Sequence, residues 1–265
     1  MSHIFLDHIV ILLPHAQVIH PPLWLTKHFA ISPGGRHAGG QTENKLIIFQ
    51  DGSYIELIAF VDDSAQKRAG HRWGKKEYGI IDYALITSSS AENNHAGIQK
   101  RLADARSAFT YEPPEAGGRK REDGEVLQWK VTVPEDSVQR GELPFFCHDV
   151  TPRDLRVPVS QESTTHPSGA YGVKQLAVLV DDKKVEDLVK AYGAVLNLPN
   201  SDQKGLEGRL DLPTLNRVEK KPLPRLSIKA PAAETEKAVV AQYGLLLHDL
   251  VIGGTTDLHW SKLEE

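Results

Sequence analysis

Apolar and polar residues alternate with a period of two along Ile4-Phe5-Leu6-Asp7-His8-Ile9-Val10-Ile11, which predicts a half-buried strand. In that strand His8 shares a face with Leu6 and Val10. Pro21 and Pro22 then open a short helix over Leu23 to Phe29, because proline suits a first helical turn. A Gly-rich stretch, Pro33-Gly34-Gly35-Arg36-His37, precedes two further strands, Lys45 to Gln50 and Tyr54 to Phe60. Asp51-Gly52 between them is a strong hairpin signal. The order is strand, helix, Gly-rich strand region, hairpin.

The same order recurs. Ile80 to Thr87 reads as a strand, and Ser88-Ser89-Ser90 caps a helix over Ala91 to Arg106 with Ile98 and Leu102 on one face. Gly117-Gly118-Arg119 repeats the triplet Gly34-Gly35-Arg36. Asp123-Gly124 turns into a strand over Glu125 to Val133, and Leu143 to Val150 closes the unit. Matching element order and a matching triplet predict an internal duplication. Thr151 to Gly172, rich in Pro, Ser and Thr, reads as a connector. A third unit follows: a strand over Val173 to Val180, a helix over Asp181 to Tyr192 ended by Gly193, and strands over Arg209 to Leu212, Arg225 to Ala230 and Leu245 to Ile252. Pro199 to Lys204 and Ala230 to Glu236 read as loops within it.

Composition narrows the function classes. Forty per cent hydrophobic and 25% charged residues describe an ordinary globular chain. A net charge of -4 offers nothing to nucleic acid or an anionic membrane, and no apolar run is long enough to span a bilayer. The single cysteine, Cys147, excludes an internal disulfide framework. With an N-terminus that lacks a basic, cleavable leader, it predicts a cytoplasmic protein.

The segments Leu6-Asp7-His8-Ile9-Val10, Gly34-Gly35-Arg36-His37 and Asp51-Gly52-Ser53-Tyr54-Ile55-Glu56-Leu57 resemble the glyoxalase-like branch of the vicinal oxygen chelate superfamily. Pro144-Phe145-Phe146-Cys147-His148-Asp149 fits the closing strand of its second module. The resemblance implies an α+β fold of repeated βαβββ modules, two of which form an open, cup-shaped mixed sheet. The modules cover approximately 1–63 and 79–150 within a domain of residues 1–150, and 151–172 connects it to a third, divergent βαβββ-like module at 173–265. The resemblance also implies metal ligands on the first and last strands of each module. These fall on His8, Glu56 and His148, with Asp149 as the neighbouring alternative. Tyr83 takes the position where the family usually has His or Gln.

Two imidazoles and one carboxylate suit a divalent metal (Fe, Zn, Mn or Ni) that holds an enolate or catecholate oxygen. The implied function is then a metal-dependent lyase, isomerase or dioxygenase acting on a small oxygen-rich molecule. Glu56 has a catalytic role in that reading, with Arg36 and His37 orienting or protonating the substrate. Tyr83, Asn44, Trp129 and Arg119 line the pocket. The alternative is a metal-free binding protein of the bleomycin-resistance type, in which His8 and Glu56 are hydrogen-bond partners and Tyr83 and Trp129 stack on the ligand. A salt bridge to Arg36 or Arg119 competes as the partner of Glu56, since a carboxylate on an apolar strand needs one. Cys147 is expected to point away from the cup, opposite His148. Gln175 and His248-Asp249 occupy the corresponding places in the third unit. That unit is a half-cup with no complementary module, and a homodimer through it is the expected cover.

Overall fold

The computed structural model describes residues 4–121, 123–198, 210–212, 215–216, 219, 221–243 and 245–263. The first module comprises β1 (Ile4–Leu12), the single-turn helices α1 (His15–Ile19) and α2 (Leu23–Thr26), then β2 (Ser32–His37), β3 (Thr42–Ile48) and β4 (Tyr54–Phe60). Pro21 and Pro22 separate the two helical turns, and the helix expected to reach Phe29 stops at Thr26. After α3 (Ala65–Arg68) the second module runs β5 (Gly79–Thr87), α4 (Ala91–Asp104), β6 (Glu115–Lys120), β7 (Val126–Thr132) and β8 (Phe145–Asp149). The Ser90 side chain caps α4 by accepting from the Asn93 N–H, and Ile98 and Leu102 bury its inner face.

These strands form one mixed sheet in the order β1-β4-β3-β2-β6-β7-β8-β5. The parallel pairs β1–β4 and β5–β8 are equivalent in the two modules. The expected cup is curled until it closes. One junction is long, β1 against β5, and the other is a short seam of two pairs, Arg36↔Lys120 and His37↔Arg119. Both Gly-Gly-Arg triplets lie on the seam strands. A Cβ on Gly35 (φ +155°) would sit 2.6 Å from the Lys120 carbonyl oxygen, so only glycine lets these strands approach.

The connector carries two more helical turns, α5 (Arg153–Arg156) and α6 (Gln161–Thr164). The third unit contains β9 (Gly172–Val180), α7 (Asp182–Val195), β10 (Leu210–Asp211), β11 (Arg225–Lys229), α8 (Glu234–Tyr243), β12 (Leu245–Gly253) and β13 (Leu258–His259), with strand order β10-β11-β9-β12-β13. Its order departs from βαβββ, because α8 stands where a loop over Ala230 to Glu236 was expected. Helix α7 also runs through Gly193, and Asn197 (φ 55°) takes the left-handed position beyond it. The expected loop Pro199 to Lys204 lies outside the described residues.

One apolar core joins the units. Ile9, Ile11, Ile55, Leu57, Leu85 and Phe146 on the outside of the barrel pack with Ile98 and Leu102 of α4, Leu188 and Tyr192 of α7, and Val178, Leu226 and Ile228 of the third sheet. One face of the third sheet is therefore covered within the chain.

Candidate active site

A cavity of about 660 Å³ fills the barrel. Strand alternation decides which side chains enter it. On β4, Ile55, Leu57 and Ala59 pack outward, leaving Tyr54 and Glu56 to face inward. On β3 the inward pair is Thr42 and Asn44. A β-bulge between Leu6 and His8 breaks the expected common face on β1: Leu6 joins the outer core, and His8 turns into the cavity.

Glu56 stands between two imidazoles. His8 Nε2 lies 3.6 Å from Oε2, His37 Nε2 lies 3.5 Å from Oε1, and Asn44 Nδ2 donates to Oε1 at 2.5 Å. Burial opposes ionisation of this carboxyl. The His37 contact, the His8 and His37 charges and the Asn44 hydrogen bond outweigh it and hold Glu56 at about 2.

His8 is oriented from behind. Its Nδ1 is 2.7 Å from Asp7 Oδ2, and its ring stacks on Tyr54 with centroids 4.6 Å apart. An ionised carboxylate only accepts, so Nδ1 donates to Asp7 and Nε2 is the nitrogen that faces the cavity. Burial works against an ionised Asp7, but Arg153 at 2.6 Å and Arg156 at 3.2 Å keep it well below the usual carboxylate range. Arg156 also donates to the Tyr54 hydroxyl at 2.7 Å and to Asp149 Oδ1 at 2.5 Å, closing the floor of the barrel.

The rest of the wall comes from scattered elements. Arg119 Nη1 donates to Asn44 Oδ1 at 3.0 Å. Trp129 meets His37 edge-on at 6.0 Å, and a Cβ on Gly117 would fall 2.4 Å from its indole Nε1, so glycine seats that ring. The segment between β4 and β5 brings His71, Arg72 and Trp73 over the opening, where Trp73 is fixed by a 2.8 Å hydrogen bond to Asp82. Burial, then the neighbouring Arg72, His37 and Arg68 charges, lower His71 to about 4, so it is neutral at pH 7.

The structure thus brings together His8, Glu56, His37, Asn44, Arg119 and Trp129. Other expectations need correction. His148 is outside the barrel, in a cleft beside Ser88 to Ala91, with its ring stacked on Phe146 and neither nitrogen hydrogen-bonded among the described residues. Cys147 holds the inward position instead, and its thiol is pushed up to about 12 by burial. Asp149 belongs to the floor network with Arg153 and Arg156. Tyr83 points outward, where its hydroxyl bonds that of Tyr192, because His8 pairs across the sheet with Ala84. Arg36 also points out, half exposed and 3.7 Å from Glu43.

A three-donor metal site therefore does not assemble. Of the expected ligands only His8 and Glu56 meet, and the added imidazole of His37 approaches the other oxygen of Glu56. Among the described residues no group of three His, Cys, Asp or Glu side chains is arranged to hold an ion. The side chains of His248 and Asp249 lie outside the described set.

Reasoning along the chain missed Tyr54, Asp7 and Arg156. Tyr54 was readable, being two residues from Glu56 on the same face; Arg156 lay in what read as a connector.

A family model described as a glyoxalase-like domain matches residues 6–196. No protein of curated function matches the chain. Among solved structures, a hypothetical protein from Staphylococcus aureus is similar in fold, with 15% identity and a TM-score of 0.56 over 85% of this chain and 86% of that one. Methylmalonyl-CoA epimerase from Mycobacterium tuberculosis aligns with 19% identity and a TM-score of 0.30 over 48% of this chain and 77% of that one. A variant of 4-hydroxymandelate synthase from Streptomyces coelicolor aligns with 8% identity and a TM-score of 0.48 over 94% of this chain and 71% of that one.

Proposed function

The chain belongs to the glyoxalase-like domain family, within the vicinal oxygen chelate superfamily, and from that premise we propose that it is an enzyme moving a proton on a small oxygen-rich organic molecule. One observation carries the reading: an ionised carboxylate, Glu56, is bracketed by His8 and His37 inside a cavity of about 660 Å³. In this reading His8 Nε2 takes a proton from the carbon beside a substrate carbonyl. The electron pair stays on the substrate as an enolate, and the imidazolium formed is stabilised between Asp7 and Glu56. Return of the proton to another atom or another face isomerises the substrate with no net redox change. The expected divalent metal has no part in this scheme, because the second module presents Ala84 and a buried Cys147 thiol, held protonated by burial, in place of the imidazole and oxygen donors expected there.

The test is exchange of substrate C–H protons in D2O, followed by proton NMR over a panel of small ketones, aldehydes and enols. Exchange that requires the protein and disappears in His8→Gln and Glu56→Gln supports the reading. Exchange that survives His8→Gln ends it. The aromatic walls Trp73 and Trp129 favour one other function, a binding protein, which the same assay reports as ligand binding with no exchange.

A further inference from the structure

The cavity's cations fall into two groups. Arg156 is neutralised by Asp7 and Asp149, and Arg140 faces Asp136 at 3.7 Å. Arg119 and Arg72 have no carboxylate within ion-pair distance among the described residues. Arg119 is only 4% exposed, and its guanidinium gives two hydrogen bonds to neutral acceptors, Asn44 Oδ1 at 3.0 Å and the Arg156 carbonyl at 2.9 Å. Its Nε–H has no acceptor among the described residues. Arg72 hangs at the opening over the Trp73 ring, 5.6 Å from its centroid, with no hydrogen-bond acceptor of its own among the same residues. Burial works against the charge on Arg119, whereas Arg72 is exposed at the rim.

A guanidinium withdrawn from water without a counter-ion is costly, and a planar fork of N–H donors matches a carboxylate. We infer that the cavity takes a carboxylate-bearing small molecule, with Arg119 as the inner electrostatic anchor and Arg72 as the outer one. The apolar wall of Trp73 and Phe145 accommodates the carbon body, which favours an organic acid over a bare inorganic anion. This inference rests on the cavity being the substrate site. It adds the charge of the substrate and the residues that select it. Arg72 sits on the exposed segment and bonds to no core group among the described residues, so replacing it tests recognition without disturbing the fold.

The experiment is calorimetric titration of the full chain with phenylacetate and malonate, with phenylacetamide and malonamide, and with inorganic phosphate. At least one acid is expected to bind, with its amide weaker by roughly tenfold or more, as expected when a charge-assisted hydrogen bond becomes neutral. Arg72→Gln, with its melting temperature unchanged, is expected to weaken the acid by about the same factor and leave the amide unaffected. Equal binding of acid and amide, full acid affinity in R72Q, no acid bound, or phosphate bound more tightly than either acid each overturns the inference. Acid binding with no proton exchange on any substrate sinks the enzymatic reading alone. Exchange confined to neutral substrates sinks the acid anchor alone.

Discussion

Replacing Glu56 with glutamine removes one charge from a buried cluster and changes little else in size. The amide oxygen of the new side chain can still accept from Asn44 Nδ2, so the loss is electrostatic. The carboxyl sits at about 2 in the folded protein against an ordinary 4.5. At 1.36 kcal/mol per pKa unit, its ionisation stabilises the fold by about 3 kcal/mol at pH 7. The folded value is depressed, so this contribution is complete above about pH 4.5 and is lost as pH falls through 2. At pH 3.5 about 2 kcal/mol is left. The assay is urea unfolding of wild type and Glu56→Gln at pH 7, 5.5 and 3.5, with the difference between the two proteins plotted against pH. Wild type is expected to lead by about 3 kcal/mol at neutral pH, and the lead is expected to shrink toward the acid end. A pH-independent difference, or a glutamine variant as stable as wild type at pH 7, would refute the account of Glu56 as an anion held by two imidazoles.

Asp51 presents the opposite sign. It is buried with only Ser53 as donor among the described residues, and burial raises it to about 6, so its ionisation destabilises the fold increasingly from about pH 4 to 6 and by a constant amount above. Asp51→Asn keeps the acceptor oxygen and is expected to add up to about 3 kcal/mol in urea unfolding at pH 7.5, with the gain gone at pH 3.5. His148 has no hydrogen-bond partner on either nitrogen among the described residues, so His148→Leu is expected to leave thermal stability unchanged or raise it by roughly 1 kcal/mol; a loss above about 2 kcal/mol would show a hidden partner. Elemental analysis of protein purified without chelator is expected to find metal well below one equivalent. A stoichiometric ion that disappears in His8→Ala would reverse the donor argument.

Periodicity along the chain was sufficient for the element order of both modules and its repetition, because that order is carried by local alternation and by hairpins whose two strands are adjacent in sequence. That His8 and Glu56 share one site was implied by the family resemblance and not by alternation. Alternation states that neighbouring residues face opposite ways; it does not state which of them faces in. That choice is made by hydrogen bonds to strands far away along the chain. Pairing of β5 with the bulged β1 put Ala84 opposite His8 and turned Tyr83 out. Pairing of β8 with β7 and β5 put Phe145 and Cys147 inside and His148 outside. The two Gly-Gly-Arg triplets look equivalent as text, yet the seam pairs His37 with Arg119 and leaves Arg36 facing Glu43. The Asp7–Arg153–Arg156 floor joins residues almost 150 positions apart. It exists only once the barrel closes, because long-range pairing, not local preference, brings those charges out of water together.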